Sequence, residues 1–150
     1  MSRVQLALNV SDLDQAIAFY SALFDAEPAK VRPGYANFAL TEPPLKLVLI
    51  EGAGEPGSIN HLGVEVASTD EVAEATAAFA AKGMGTMVEE ATTCCYAVQD
   101  KVWVDGPDGA RWEVYTVLAD ATGPEGLGGD ERCCTPVTVE AAAGASPACC

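Results

Sequence analysis

The chain has 150 residues, of which 49% are hydrophobic and 20% charged, enough for one packed core. Eight Lys and Arg oppose 22 Asp and Glu, and a formal charge of -14 repels phosphate backbones and anionic bilayers, which excludes nucleic acid as a partner. No apolar run approaches the length of a membrane span and Met1-Ser2-Arg3-Val4 opens no signal-like stretch, so the expectation is a cytoplasmic protein without a membrane partner, its six cysteines reduced.

The first segment, Val4-Gln5-Leu6-Ala7-Leu8-Asn9-Val10, alternates as a half-buried strand. Ser11-Asp12-Leu13-Asp14 then signals a helix start, with the hydroxyl as the expected cap, and Leu13, Ala16, Ile17, Tyr20, Leu23 and Phe24 form one apolar stripe. Short strands follow over Tyr35 to Leu40 and Leu45 to Ile50, separated by turn chemistry at Pro43-Pro44. The pattern then begins again. Asn60-His61-Leu62-Gly63-Val64-Glu65-Val66 alternates, Ser68-Thr69-Asp70-Glu71 starts a helix carrying Val72, Ala75, Thr76, Phe79 and Ala80, and Gly83 stops it. Strands over Val102 to Val104 and Arg111 to Val117 flank Pro107-Asp108-Gly109. Gln5 thus falls on His61, and the alignment of Pro43 with Pro107 sets Leu49 against Glu113. The expected fold class is α+β: two βαβββ modules in tandem, about residues 2–52 and 58–118 of a domain 1–118, forming two curved sheets with helices outside and a cleft between. From Ala119 the composition shifts to Gly, Pro, Ala, Ser and Thr without aromatics, which predicts a flexible tail over 119–150.

Alternation also assigns faces. If Leu6, Leu8 and Val10 pack on the first helix, Gln5 and Ala7 turn to the concave side; by the same logic His61 and Gly63 face inward, as do Glu113 and Tyr115 against Trp112 and Val114. Singly, an inward His is usually a hydrogen-bonded core residue and Gln5 could merely end a strand. Glu113 among Trp112, Val114 and Tyr115 is costly unless paired or bound to a cation. Together the three residues, at corresponding places in repeated halves, form a candidate metal site.

Duplicated modules with ligands on the two first strands and the last strand resemble the vicinal oxygen chelate superfamily of glyoxalases, extradiol dioxygenases and antibiotic-resistance proteins, over residues 2–118. Members with four protein ligands would place one where Leu49 stands, so the resemblance is to the three-ligand dioxygenase type. It implies Fe(II) with coordination positions open for substrate and dioxygen. The chain has a single His, so Gln5 stands in for a second imidazole; its harder amide oxygen leaves manganese and zinc open as well.

The cysteines come as three adjacent pairs, Cys94-Cys95, Cys133-Cys134 and Cys149-Cys150, matching neither a disulfide framework nor CxxC zinc spacing. The run Thr92-Thr93-Cys94-Cys95-Tyr96-Ala97-Val98-Gln99-Asp100-Lys101-Val102-Trp103-Val104 closely resembles the signature of organoarsenical carbon-arsenic lyases and related cadmium-induced proteins. Leu8-Asn9-Val10-Ser11-Asp12-Leu13 and Glu42-Pro43-Pro44-Leu45 agree with it. That resemblance implies cleavage of trivalent organoarsenicals, such as methylarsonous acid or aromatic arsenicals, to arsenite with ferrous iron and dioxygen. The chemistry of the pair is apt: trivalent arsenic is soft and three-coordinate, so two thiolates replace two hydroxyls while carbon keeps the third position. Cys94 and Cys95, expected in a loop, are therefore the candidate arsenic ligands, with Lys101 the nearby cation in sequence that would favour thiolate. Tyr96, Tyr115 and Gln99 are candidates for the pocket wall, and no acid or base is assigned.

Cys133, Cys134, Cys149 and Cys150 read either as accessory arsenic binders on a tether or as exposed thiols of a dispensable tail. The competing functions are a non-catalytic cadmium- or arsenite-binding resistance protein and a glyoxalase-like isomerase or drug-binding protein; Leu49 in place of a fourth ligand counts against the isomerase. A monomer and a homodimer both remain open.

Overall fold

The computed structural model describes residues 2–121. The elements are β1 (Arg3–Val10), α1 (Leu13–Phe24), β2 (Lys30–Arg32), β3 (Tyr35–Thr41), β4 (Pro44–Glu51), β5 (Ile59–Glu65), α2 (Thr69–Ala81), β6 (Thr86–Cys94), β7 (Ala97–Asp105) and β8 (Arg111–Asp120), which is βαβββ twice. Both helices begin on caps. At α1 it is the Asp12 carboxylate, not the Ser11 hydroxyl, that accepts from the Gln15 amide; at α2 the Ser68 hydroxyl accepts from Glu71, as expected. Gly83, at φ 72°, takes the left-handed conformation that ends α2.

The eight strands form one continuous sheet, in the order β2-β3-β4-β1-β5-β8-β7-β6, rather than the two sheets expected. The reason is the first strand of each half: β1 and β5 pair antiparallel, so the modules share backbone hydrogen bonds at the centre. Within each half the first strand pairs parallel with the last, β1 with β4 and β5 with β8.

Alternation sorts the side chains as anticipated. Leu6, Leu8 and Val10 pack on an outer core of Leu13, Ala36, Phe38, Leu40, Leu47 and Leu49 beneath α1. Burial on the scale of Phe38 or Leu47 contributes about 1.5–3 kcal/mol per side chain. Opposite them, Ala7, Tyr35, Val48, Ile50 and Ala53 form an inner cluster on the concave face. Helix α2, with Val72 buried, lies over β6, β7 and β8.

Strand β6 is the element the sequence conceals. Thr92, Thr93 and Cys94, expected in a loop, are its final residues, and they pair with Gln99, Val98 and Ala97. A register shift between Glu89 and Thr92 leaves Ala91 at φ 46°. Asp100 fastens this irregularity to α2: its carboxylate accepts from the Ala91 amide at 2.7 Å and from the Thr69 hydroxyl at 2.6 Å. Strand β8 continues through Ala119 and Asp120, which pair with Val98 and Ala97.

Candidate functional site

Three central strands assemble the polar cluster. Gln5 pairs with Gly63 and Gly63 with Glu113, so Gln5 and Glu113 flank a residue without a side chain. A Cβ on Gly63 would lie 3.0 Å from Glu113 Cγ and 3.4 Å from Gln5 Cβ, and this close approach is what the glycine permits. His61 enters from the same strand. Gln5 Nε2 stands 3.0 Å from His61 Nε2 and donates to Glu113 Oε1 at 2.6 Å, while His61 Nε2 lies 3.3 Å from that oxygen. All three are buried, at 4%, 5% and 3% exposure for Gln5, His61 and Glu113. The sequence-predicted ligands therefore converge.

Around them lies a shell of which the sequence pointed only to Tyr115 as an inward-facing residue. Lys101, buried on β7, donates to Glu113 Oε2 at 2.9 Å and sits over the rings of Trp103 and Tyr115. The lysine expected to serve the cysteines thus forms an ion pair with the carboxylate. Burial pushes the Glu113 carboxyl up, but the Lys101 ammonium and then His61 outweigh it and hold it below the usual carboxylate range. The Tyr115 hydroxyl donates to Gln5 Oε1, and burial, with the charges of Glu65 and Glu113, pushes its pKa well above an ordinary tyrosine. Trp103 meets His61 edge-on, with ring centroids 5.5 Å apart.

The donor set fits a metal with one condition. Among the described residues no group of three or more His, Cys, Asp and Glu is placed to hold an ion, so a three-ligand site depends on the Gln5 carboxamide. Lys101 occupies Glu113 Oε2 and leaves Oε1 beside His61 Nε2, which suits a single-oxygen carboxylate ligand next to an imidazole. Gln5 turns its nitrogen, not its oxygen, toward that centre. Rotating the terminal amide by half a turn would present the oxygen and hand Nε2 to Tyr115, whose hydroxyl oxygen can accept.

The first-half counterpart of Glu113 is corrected by the strand register. Ala7 pairs with Val48 as Gly63 pairs with Glu113, so Val48 holds the equivalent inner position while Leu49 lies under α1. The position is apolar either way, so the conclusion of a three-residue set is unchanged.

Cys94 ends β6, and Cys95 with Tyr96 forms the two-residue turn into β7, both with positive φ, 49° and 65°. This is the backbone of a primed hairpin turn, usually made with Asn and Gly. Here the first module holds it. Lys30 Nζ donates to the Tyr96 carbonyl at 3.2 Å and also pairs with Asp120, the Tyr96 hydroxyl donates to Pro33 O at 3.4 Å, and the Tyr96 ring packs 5.9 Å from Tyr35. Lys30 is thus a cation near the pair that only the fold brings there. Cys94 is 2% exposed, Cys95 half-buried, and their sulfurs are 3.5 Å apart as thiols. Cys95 and Tyr96 pack on the inner cluster that contains Ala7, and Ala7 is two residues from Gln5 and pairs with His61. Thiols and polar cluster therefore share the concave face. An open depression of about 590 Å³ lined by residues such as Asp12, Val31, Arg32 and Glu51 includes none of these residues. Cys133, Cys134, Cys149 and Cys150 lie outside the described residues.

The model of the glyoxalase/bleomycin resistance protein/dioxygenase superfamily matches residues 3–114. A cadmium-induced protein of Mycobacterium tuberculosis is 64% identical over 121 residues, covering 81% of this chain and 80% of its own. A trivalent organoarsenical cleaving enzyme of Thermomonospora curvata is 59% identical over 137 residues, covering 91% and 90%. Among solved structures, an extradiol ring-cleaving dioxygenase from B. fuscum superposes with a TM-score of 0.59 at 19% identity over 79% of this chain, which spans 33% of that longer one; this is a likeness of fold.

Proposed function

The chain belongs to the glyoxalase/bleomycin resistance protein/dioxygenase superfamily, and from that membership we propose that it cleaves the carbon-arsenic bond of trivalent organoarsenicals and releases arsenite. In this reading Cys94 and Cys95 hold the arsenic, and Gln5, His61 and Glu113 hold Fe(II). The observation that carries it is the presence of a 3.5 Å thiol pair and a carboxylate-imidazole-carboxamide cluster on one concave face. The relative of Thermomonospora curvata, named for organoarsenical cleavage, supports the substrate class.

The arsenical enters as a dihydroxy species. Each thiol forms a sulfur-arsenic bond as an arsenic-oxygen bond breaks, and the thiol proton leaves with the hydroxide as water, so two waters depart and the carbon substituent stays. Ala7, Tyr35, Val48 and Ile50 beside Cys95 present apolar surface to that substituent and exclude water. Lys101 keeps Glu113 ionised and turned, and Tyr115 fixes Gln5. A ferrous ion at this cluster would supply open coordination positions and the redox capacity to use dioxygen. Residues 119 and 120, expected in the tail, belong to β8, and the cysteines beyond it, Cys133, Cys134, Cys149 and Cys150, would act as accessory arsenic binders in a cytoplasmic enzyme.

The test is incubation of the reduced protein with methylarsonous acid and ferrous iron, in air and under nitrogen. Arsenite formed in air alone, and lost in Cys94→Ser, is the expected outcome. Stoichiometric arsenic binding without turnover in air would instead favour a cadmium- or arsenite-sequestering protein, a reading that the 64% identical cadmium-induced relative keeps in view.

A further inference from the structure

Strand β7 runs from the thiol pair to the polar cluster, and alternation puts every second side chain on the concave face. Ala97 stands opposite Cys94, Lys101 reaches Glu113, and Trp103 abuts His61. Gln99 is the residue between. It is 7% exposed, pairs with Thr92 and is the diagonal neighbour of Cys94 across the hairpin, a relation in which Cα atoms lie roughly 7–8 Å apart. Its Oε1 is buried and has no hydrogen-bond partner among the described residues. Such an acceptor costs folding free energy, and it rewards a ligand that brings a donor.

We infer that Gln99 Oε1 accepts a hydrogen bond from an arsenic-bound hydroxyl, which makes Gln99 a positioning residue for inorganic arsenite and for the half-exchanged organoarsenical. The inference rests on Cys94 and Cys95 being the arsenic ligands. A carboxamide oxygen only accepts, so the group it reads must carry O–H or N–H. After one thiol has exchanged, an organoarsenical keeps one hydroxyl; after two it keeps none. Arsenite differs: with both thiols bound it still carries one hydroxyl, in the position that carbon would otherwise fill. Gln99 therefore holds the first adduct of the organoarsenical while the second thiol attacks, loses its partner once the substrate is fully bound, and regains one with the inorganic product.

The two arsenicals separate this role from packing. The full-length protein carrying Cys133→Ser, Cys134→Ser, Cys149→Ser and Cys150→Ser is dialysed metal-free under nitrogen against arsenite or methylarsonous acid, and bound arsenic is measured by mass spectrometry. Gln99→Met is expected to weaken arsenite about tenfold, the loss of one hydrogen bond to a buried acceptor. Methylarsonous acid should keep its equilibrium affinity but bind more slowly. Gln99→Glu, which retains an acceptor, should restore arsenite binding, and the melting temperature of Gln99→Met should equal or exceed that of the parent because a buried orphan is gone. Gln99→Leu serves as a second apolar variant should Met pack poorly. Unchanged arsenite affinity in a folded apolar variant, or equal losses for both arsenicals, overturns the role of Gln99 and leaves the thiol site standing. A parent protein that binds neither arsenical, or binds both after Cys94→Ser, overturns the thiol site and this inference with it.

Discussion

Replacing Lys101 by Met removes the partner of a carboxylate that is 3% exposed and 2.9 Å from the ammonium. Breaking a buried pair from one side typically costs about 3–5 kcal/mol, because the remaining charge is stranded. Here the cost has a ceiling, since Glu113 can take a proton instead. Protonating an ordinary glutamate at pH 7 costs about 3.7 kcal/mol, so Lys101→Met should lose roughly that amount at pH 7 and about 1 kcal/mol at pH 5. The double variant Lys101→Met/Glu113→Gln leaves no charge to strand and should recover most of the loss at pH 7. Urea unfolding with a chelator present measures all three proteins at both pH values. Adding ferrous iron under nitrogen should then narrow the deficit of the single variant, because a cation again faces Glu113. A loss below about 1 kcal/mol at pH 7, or a double variant no more stable than the single one, would refute the buried pair as the determinant of Glu113.

Three other outcomes follow from the same geometry. Gly63→Ala should destabilise the protein by about 1–3 kcal/mol and lower ferrous-ion affinity in dialysis, because its Cβ meets Glu113 Cγ at 3.0 Å on a central strand. Tyr115→Phe should weaken metal binding by about 10- to 100-fold with little change in arsenite affinity, since the hydroxyl contacts Gln5; equal loss of both would point to general unfolding. The Ala91 amide and the Thr69 hydroxyl hold Asp100 below the usual aspartate range, so its contribution is complete above the unfolded-state value and is lost as pH falls through the lower folded-state one. Asp100→Asn should therefore be less stable than the parent at pH 7, with the gap closing below about pH 4 in acid titrations of the unfolding midpoint.

Local pattern carried much of this protein. The alternation in β1 and β5 is set by burial of one face on a helix, a constraint acting on neighbouring residues, so it is readable in a linear chain. That is why Gln5, His61 and Glu113 could be turned inward, and the repeat recognised, before any contact was known. Strand β6 escaped because its exposed edge, Glu89-Glu90 and the irregularity at Ala91 erase the period, and because a Cys95-Tyr96 turn lacks the Asn and Gly that signal a hairpin.

What tertiary structure alone decided is which distant residues meet. The two halves use strand registers that differ by one residue, so a proline alignment pointed to Leu49 where pairing selects Val48, and a single step flips a side chain across the sheet. Lys101, six residues from Cys95 in sequence, meets Glu113 across the sheet, and Lys30, far away in sequence, reaches the thiol turn. The orphaned Gln99 oxygen is likewise invisible in a string of letters, because satisfaction of a buried acceptor depends on every strand around it. Sequence by itself determined the faces; only closure of the sheet decided the partners across them, because a face is fixed by adjacent residues and a partner by register over the whole chain.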